Sequence, residues 1–280
     1  MASASALVTG GARGLGLEIC KMLAARGYTV HVTDLDAEAA DQAATQIGHE
    51  AFASALDVRD NEACRAAAGE TVKRTGSLDV WVNNAGVLVT GPAWEQDPST
   101  RQLMIEVNAI GTINGTLAAL EQMRSAGRGH VVNIISLAGL VAAPGEAVYG
   151  ASKHAAIGFS IATLTDMRLA GITGIDISCV CPDGIWTPML HDKLDDPAAA
   201  ASFSGVLLLP EEVARRISAL LDRPRPVVVI PRWRGILIRG FDRWPRLALA
   251  AARPALAYGR LQQRLFKHKV SRGRWPPRNR

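Results

Sequence analysis

The chain has 280 residues, 48 % of them hydrophobic, which is enough for one large core and also fits one α/β domain with an appendage. Its four cysteines form no CxxC pair and its six histidines are scattered, so neither a disulfide framework nor a metal site is expected, and a reducing cytoplasm is the default compartment. The net charge of +5 is uneven, because residues 231–280 hold 14 of the 31 Lys and Arg and one acid, a net of +13 against −8 elsewhere.

Apolar, β-rich runs alternate with helical patterns along most of the chain. Strands are predicted at 5–9, 29–33, 50–56, 78–82, 130–135, 174–181 and 226–230. Helices are predicted near 14–26, 36–47, 60–75, 99–126, 149–170 and 210–222. This alternation indicates βαβ units and a parallel sheet covered on both faces. Residues 185–209 interrupt it, and such an excursion often covers the site of a doubly wound fold.

No secretory signal is expected, because the N-terminus leads directly into the first strand. No membrane-spanning helix is expected either, because no run of about 18 apolar residues occurs. Cys179 and Cys181 lie two apart in a predicted strand, so they share a face and are expected to be buried as small hydrophobic residues.

The stretch TGGARGLG, residues 9–16, lies between the first predicted strand and the first predicted helix. Glycines in this context permit a tight turn with unusual φ, close approach of a pyrophosphate and close packing of helix on strand. The unpaired N–H groups and the dipole of the helix N-terminus favour phosphate groups. The stretch therefore predicts a dinucleotide site.

The second predicted strand runs to Asp34, about 20 residues after the glycines. A carboxylate there accepts hydrogen bonds from the adenosine ribose hydroxyls and repels a 2′-phosphate, which favours NAD over NADP. Alternatives stay open, because Arg13 inside the turn would meet a phosphate and Asp36 competes for the inward position. Asp34 would otherwise cap the following helix. Asp57, at the end of the third strand, is a candidate partner for the adenine amino group.

Tyr149 and Lys153 lie four residues apart in YGASK, and positions i and i+4 share one helix face. A phenol has a pKa of about 10, which a fixed ammonium beside it would lower by favouring the phenolate. The pair is therefore a candidate general acid and base. It follows Ser136, which ends the strand HVVNIIS.

Five elements together resemble the classical short-chain dehydrogenase/reductase family: TGxxxGxG at 9–16, NNAG at 83–86, Asn108, Ser136, and YxxxK at 149–153. They occur in the family's order and spacing over residues 4 to about 231. The resemblance implies a Rossmann-like, doubly wound α/β/α sandwich with a seven-stranded parallel sheet. It also implies hydride transfer between a nicotinamide cofactor and an alcohol or carbonyl, and a homodimer or homotetramer formed through the two long helices.

The resemblance assigns four catalytic residues. Tyr149 would exchange a proton with the substrate oxygen, and Lys153 would lower the pKa of Tyr149 and bind the nicotinamide ribose. Ser136 would orient the substrate oxygen, unless it only ends a strand. Asn108 would hold a water that links Lys153 to solvent, unless it only caps or kinks its helix. The predicted cofactor contacts are Gly10, Arg13, Gly14, Leu15, Gly16, Asp34, Asp57, Val58, Asn84, Ala85, Gly86, Tyr149, Lys153, Pro182, Ile185 and Thr187.

One stretch departs from the family's pattern. The family usually reads Pro-Gly after the sixth strand, whereas this chain reads CPDGIWTPM, with Asp183 where glycine is expected. Pro182 and Gly184 can still fill the pattern, and Ile185 and Thr187 would reach the carboxamide. The backbone path of this loop stays open.

Three segments are expected to line the substrate pocket: the residues after Ser136, residues 88–89, and the stretch 185–209. Their side chains are mostly apolar and no Arg or Lys cluster awaits a carboxylate or phosphate. A hydrophobic substrate is therefore predicted, such as a steroid, retinoid, terpenoid or long-chain alcohol. The residues expected at the pocket include Leu137, Leu140, Val141, Trp186, Met189, Leu190 and Phe203.

Residues 232–280 form a basic C-terminal tail in which Arg is interleaved with aromatic residues, and Pro245 and Pro254 are expected to break it into short pieces. From Pro254, a helix would place Tyr258, Leu261 and Leu265 on one face. Such a tail suits an anionic membrane surface, at about 1 kcal/mol per basic residue. Disorder is an equal alternative, and nucleic-acid binding has only charge in its favour.

The sequence thus predicts an NAD-dependent short-chain oxidoreductase in residues 1–231, in the cytoplasm and at most peripheral to a membrane. Two alternatives remain: an NADPH-dependent ketoreductase with the same fold, and a non-catalytic nucleotide-sensing scaffold. The intact set of Ser136, Tyr149 and Lys153 argues against the scaffold.

Overall fold

The computed structural model describes residues 4–242 and 244–273, and its centre is a parallel sheet. The strands are β1 Ser5–Thr9, β2 Thr29–Asp34, β3 Phe52–Ala55, β4 Val80–Asn83, β5 Gly129–Ile134, β6 Ile175–Pro182 and β7 Val227–Ile230. Their order in the sheet is β3-β2-β1-β4-β5-β6-β7. The order reverses between β1 and β4, where a doubly wound sheet opens its ligand crevice.

The predicted strands are confirmed to within two residues at either end. β3 begins later than expected, at Phe52, because His49 and Glu50 adopt left-handed φ values of 52° and 60° that a strand cannot accommodate. Cys179 and Cys181 are buried in β6, as predicted, and burial raises the pKa of Cys179 to about 11.

Helices cover both faces of the sheet. They are α1 Gly14–Ala25, α2 Ala37–Ile47, α3 Asn61–Thr75, α4 Pro98–Ile105, α5 Gly111–Ala126, α6 Ala147–Leu169, α7 Pro188–His191, α8 Pro210–Asp222, α9 Arg232–Asp242 and α10 Pro245–Ser271. Ile19 of α1 and Ile217 of α8 pack with Val32 on one face. Trp81 and Met123 lie in the core on the other face, with α3, α5 and α6. The three-layer doubly wound fold expected from the resemblance is confirmed.

The predicted long helix at 99–126 is two helices, α4 and α5, joined by a π-helical turn at Glu106–Ile110. Taken together, Pro98–Ala126 is the one helix in the described residues that is long and apolar enough to cross a membrane by length and composition. Within its apolar 18-residue window, 61 % is buried inside the protein. The core helix of a globular fold meets the same criteria, so the finding is weak support for a span.

The C-terminal tail is helical over most of its length. Pro245 begins α10, but Pro254 lies inside that helix, so the prediction that Pro254 breaks the segment is wrong. The helix packs so closely against the segment Pro197–Phe203 that a Cβ on Gly259 would be 2.1 Å from the Ala200 carbonyl oxygen.

Two aromatic residues of the tail cannot be placed on these helices. Trp275, with the rest of 274–280, lies outside the described residues, and so does the side chain of Phe241.

Candidate active site

The predicted site residues converge on one cleft at the carboxyl ends of the central strands. The cleft has a volume of about 1170 Å³. Every residue predicted to act in catalysis or to contact a cofactor lines it, except Gly16 and Asn108. Those two lie behind its wall: a Cβ on Gly16 would be 2.0 Å from the Gly10 oxygen, and Asn108 Oδ1 would be 3.1 Å from a Cβ on Gly86.

The glycine turn is held by the residues that follow β4. Asn84 Nδ2 donates to the carbonyls of Thr9 at 3.0 Å and Gly10 at 2.9 Å. Thr9 Oγ1 in return accepts from the N–H groups of Asn84 and Ala85 at 3.0 and 3.1 Å. Gly10 has a φ of +60°, which favours glycine. Asn84 therefore holds the glycine turn in place through its side-chain amide.

The first turn of α1 faces the cleft without a side-chain cap. Its N-cap, Arg13, is extended and makes no capping hydrogen bond, and the first turn contains no acidic residue. Uncapped N–H groups above a turn that has no room for side chains form a cradle that a pyrophosphate fits.

Asp34 and Asp36, between which the sequence could not decide, have different surroundings. Asp36 Oδ1 accepts from Ala39 N–H at 3.1 Å and caps α2. Asp34 lines the cleft, and its Oδ2 accepts from Ala12 N–H at 3.2 Å, which ties the end of β2 to the glycine turn. The alternative in which Asp34 caps the helix is wrong.

Asp57 is already engaged by a residue that the sequence reasoning missed. The Arg59 guanidinium donates to both carboxylate oxygens, with Nη2 2.6 Å from Oδ2. This hydrogen bond holds the pKa of Asp57 below its usual range. An adenine amino group at Asp57 would have to share the carboxylate with Arg59, and both residues line the cleft.

Ser136, Tyr149 and Lys153 meet where β5 ends and α6 begins. Ser136 Oγ accepts from Ala138 N–H at 3.1 Å, and Ser136 and Tyr149 line the same cleft. Lys153 is buried, donates to the Ile134 carbonyl at 2.9 Å, and has its Nζ 5.9 Å from the centre of the Tyr149 ring.

The pKa values of this pair depart from the sequence expectation. Burial raises the pKa of the Tyr149 phenol, and the nearby Glu146 carboxylate raises it further, while the hydrogen bond with Ser136 opposes both. Burial lowers the pKa of Lys153 to about 8. Desolvation of the phenolate dominates this shift, and the lowering of the Tyr149 pKa by Lys153 stays a prediction.

Asn108 sits in the π-helical turn, a feature frequent at functional sites. The side chain is fully buried and bonds both main-chain groups of Val87: Oδ1 accepts from its N–H at 2.8 Å and Nδ2 donates to its carbonyl at 2.9 Å. Nδ2 also donates to Ser152 Oγ at 3.1 Å. Asn108 thus fixes the cleft wall after β4, and its role toward a water stays a prediction.

Asp183 fixes the backbone path of the loop after β6, which the sequence left open. Its Oδ1 accepts from Gly184 N–H at 3.1 Å, and its Oδ2 accepts from Val206 N–H and from Arg234 Nε, both at 2.9 Å. The carboxylate, only 6 % exposed, replaces the expected glycine by organising the loop around itself. Ile185 and Thr187 still line the cleft.

Six of the residues predicted to line an apolar substrate pocket line this cleft, and three do not. Residues 88–89, Leu137, Val141, Met189 and Leu190 line it. Trp186 and Phe203 instead form a buried cluster with Phe266, and Leu140 packs beneath β5 and β6. These large side chains pack into buried clusters, and their spacing in the sequence does not show whether they face the cleft or the core.

The sequence reasoning also missed part of the lining. Glu146 faces the cleft, is 5 % exposed, accepts from Ser202 Oγ at 2.5 Å, and has a pKa raised by burial. The two C-terminal helices add Leu237, Ile238, Ala248, Leu249, Ala251, Ala252, Ala255 and Leu256. The alanine-rich run at 248–257 was the available signal, because small side chains allow a helix to pack closely.

Comparison with known proteins gives consistent relatives. The sequence profile of the short chain dehydrogenase family matches residues 4–198. Cyclopentanol dehydrogenase from Comamonas sp. (strain NCIMB 9872) is 36 % identical over 224 residues, 77 % of this chain and 88 % of that protein. The 2-(R)-hydroxypropyl-CoM dehydrogenase of Xanthobacter autotrophicus is 38 % identical over 205 residues, 69 % and 78 % of the two chains.

A solved structure has the same fold. The short chain dehydrogenase/reductase from Burkholderia phymatum, in complex with NAD, superposes with a TM-score of 0.79 at 24 % identity. The match covers 88 % of this chain and 95 % of the other.

Proposed function

The chain belongs to the short chain dehydrogenase family, and on that premise we propose that it transfers a hydride between NAD(H) and a secondary alcohol or ketone of a hydrophobic substrate. As a member of this family it is an oxidoreductase that acts on CH–OH groups. One observation carries the finer proposal: Ser136, Tyr149 and Lys153 meet in the same cleft as the glycine turn and Asp34.

The choice of NAD rests on the adenosine end of the cleft. The cradle around Gly10 and Gly14 fits a pyrophosphate, and the Asp34 carboxylate would accept from ribose hydroxyls and repel a 2′-phosphate. NAD⁺ would accept the hydride from the carbinol carbon, and NADH would return it. The further cofactor contacts are proposed at Leu15, Val58, Ala85, Gly86, Pro182, Ile185 and Thr187.

Tyr149 is proposed to exchange the proton with the substrate oxygen, while Ser136 donates a second hydrogen bond and fixes the oxygen's position. A phenol has an ordinary pKa of about 10 and burial raises that of Tyr149 further, so Tyr149 holds its proton at neutral pH and is ready to donate it to a ketone. In the oxidising direction the alcohol proton passes to a Tyr149 phenolate, which the Lys153 ammonium stabilises across the ring.

The hydrophobic substrate is supported by the apolar side chains that line the cleft, among them Leu137, Val141 and Met189. Charged side chains such as Glu146 and Lys193 line the same cleft. Two relatives are named for cyclopentanol and for 2-(R)-hydroxypropyl-CoM, both secondary alcohols. Steroids, retinoids, terpenoids and long-chain alcohols remain the proposed class.

The decisive experiment is fluorescence titration with NADH and NADPH, followed by assays with alcohols and NAD⁺. NADH should bind more tightly, and the preference should weaken in Asp34→Ala. Tyr149→Phe should keep NADH affinity and lose about 10²–10⁴-fold in kcat. Tighter binding of NADPH would refute the role of Asp34, and an active Tyr149→Phe enzyme would refute the mechanism.

Two wider proposals come with this function. A homodimer or homotetramer would form through α5 and α6, where Leu117 and Leu169 are exposed by 47 % and 83 %. A sedimentation-velocity run giving only the 29.7 kDa monomer would contradict it.

The cytoplasmic enzyme would also touch anionic membranes through α10, which exposes Tyr258, Leu261 and Leu265 beside basic residues. The double variant Leu261→Glu, Leu265→Glu should then sediment less with phosphatidylserine vesicles than the wild type. Equal sedimentation of both proteins would remove this idea.

A further inference from the structure

The C-terminal helices form a wall of the cleft, beyond the part of the chain that matches the family profile. Leu237 of α9 and Ala248, Ala252 and Leu256 of α10 line it. They face the same space as Tyr149, and all four side chains are apolar. A substrate that reaches from Tyr149 toward α10 therefore meets these hydrocarbon side chains, with the charged Arg234 of α9 also lining the cleft.

A buried ion pair holds the near end of this wall. Arg234 of α9 donates through Nε to Asp183 Oδ2 at 2.9 Å, and the two side chains are 15 % and 6 % exposed. Asp183 is also bonded by the N–H groups of Gly184 and Val206. The pair thus joins α9 to the loop that carries Ile185 and Thr187. Removing one partner leaves a buried charge without compensation.

Polar and close contacts hold the far end. Gln263 of α10 is buried and donates through Nε2 to the carbonyls of Lys193 at 2.6 Å and Asp196 at 2.8 Å. Beside it, Gly259 allows the helix to approach Ala200. Arg234 thus ties α9 to this part of the fold and Gln263 ties α10 to it, and α10 presents Ala248, Ala251, Ala252 and Ala255 to the cleft.

We propose that α9 and α10 are the outer wall of the substrate site, that this wall makes the enzyme selective for long apolar alcohols and ketones, and that Asp183 and Arg234 are the pair that positions it. This inference rests on the proposed function above. The wall shields hydrocarbon from water, so its contribution grows with the length of the substrate. A short alcohol reacts beside Tyr149 without reaching it.

The contribution of α10 to the cleft is tested by replacing its small cleft-lining residues with tryptophan. Ala248→Trp and Ala252→Trp place an indole in the cleft, whereas Ala250→Trp and Ala257→Trp place it on exposed faces of the same helix. With NAD⁺, both cleft variants should lose at least about tenfold in kcat/KM for decan-2-ol and stay within about twofold for propan-2-ol. The two control variants and NADH affinity should be unchanged. An equal loss for both alcohols, or none, would overturn the wall.

The positioning pair is tested by Arg234→Met, with Arg234→Lys as the conservative variant. Arg234→Met should raise the KM for decan-2-ol by about tenfold with little change in kcat, because the wall is displaced while the reacting groups stay in place. Arg234→Lys should recover part of that loss. Asp195→Asn, which removes an exposed ion pair between Asp195 and Lys267, should have no effect. A KM in Arg234→Met equal to that of the wild type would refute the pair.

A third readout needs no turnover and separates this inference from the proposed function. Trypsin can cut α10 after Arg246, Arg260 and Arg264, which are exposed and are each followed by leucine. Saturating decan-2-one should slow this cleavage several-fold in the wild type and in Ala250→Trp, and should fail to do so in Ala252→Trp. Protection without turnover would refute the catalytic proposal and keep the wall. Turnover of decan-2-ol without protection would refute the wall and keep the catalytic proposal.

Discussion

Gly16→Ala should damage both the stability of the protein and its affinity for NADH. The new Cβ would lie 2.0 Å from the Gly10 oxygen and 2.6 Å from Asn84 Nδ2. Neither neighbour can rotate away, because one is a main-chain carbonyl and the other is held by the carbonyls of Thr9 and Gly10. The glycine turn must therefore move relative to α1.

The magnitude follows from two terms. Overpacking a tight contact costs about 1–3 kcal/mol, and the strained hydrogen bond of Asn84 to Gly10 adds about 1 kcal/mol. The free energy of unfolding should fall by about 3 kcal/mol in total, which for a chain of this size lowers Tm by about 6–10 °C. The proposed pyrophosphate cradle moves as well, so NADH affinity should fall by at least about tenfold.

The assay is urea unfolding together with NADH titration, and Gly69→Ala is the matched control. Gly69 lies inside α3 with nothing within 4 Å of a new Cβ, so alanine there should stabilise by about 0.5–1 kcal/mol and leave NADH binding unchanged. If Gly16→Ala matched Gly69→Ala in both measurements, the steric reasoning about the turn would be refuted.

Three further predictions concern buried titratable groups. Lys153→Met should abolish turnover yet stabilise the protein at pH 7 by about 2 kcal/mol. Burial lowers the pKa of Lys153 to about 8, so its buried charge destabilises the fold by about 3 kcal/mol at pH 7, and losing its hydrogen bond to Ile134 removes about 1 kcal/mol of stability. A higher urea midpoint for the wild type would contradict this prediction. Burial lowers the pKa of His130 to about 4, so the wild type should lose up to about 3 kcal/mol as pH falls from about 6.5 to 4, and His130→Gln should flatten that part of the profile. Burial raises the pKa of Glu146, so the stability that its protonated form contributes is present at low pH and is lost as pH rises. The urea midpoint of Glu146→Gln should therefore rise relative to that of the wild type between pH 4 and pH 8. A difference between the two midpoints that stays constant with pH would contradict this prediction.

The sequence determined the fold and most of the site because both depend on local patterns. Strand and helix periods follow from which faces are buried, and Gly10, Ser136, Tyr149 and Lys153 occur at fixed distances from the ends of those elements. Carboxyl ends of parallel strands meet at one edge of the sheet, so residues far apart in the chain had to converge there.

Tertiary structure decided the features that depend on distant neighbours. The pKa of Tyr149 is set by desolvation and by Glu146, which the spacing to Lys153 does not reveal. Asp183 departs from the family's pattern because its partner, Arg234, lies 51 residues later. The basic segment around α10 could be read as disordered from its charge alone. It is instead a wall of the cleft, because the gain from packing it over the loop outweighs a composition that would not fold by itself.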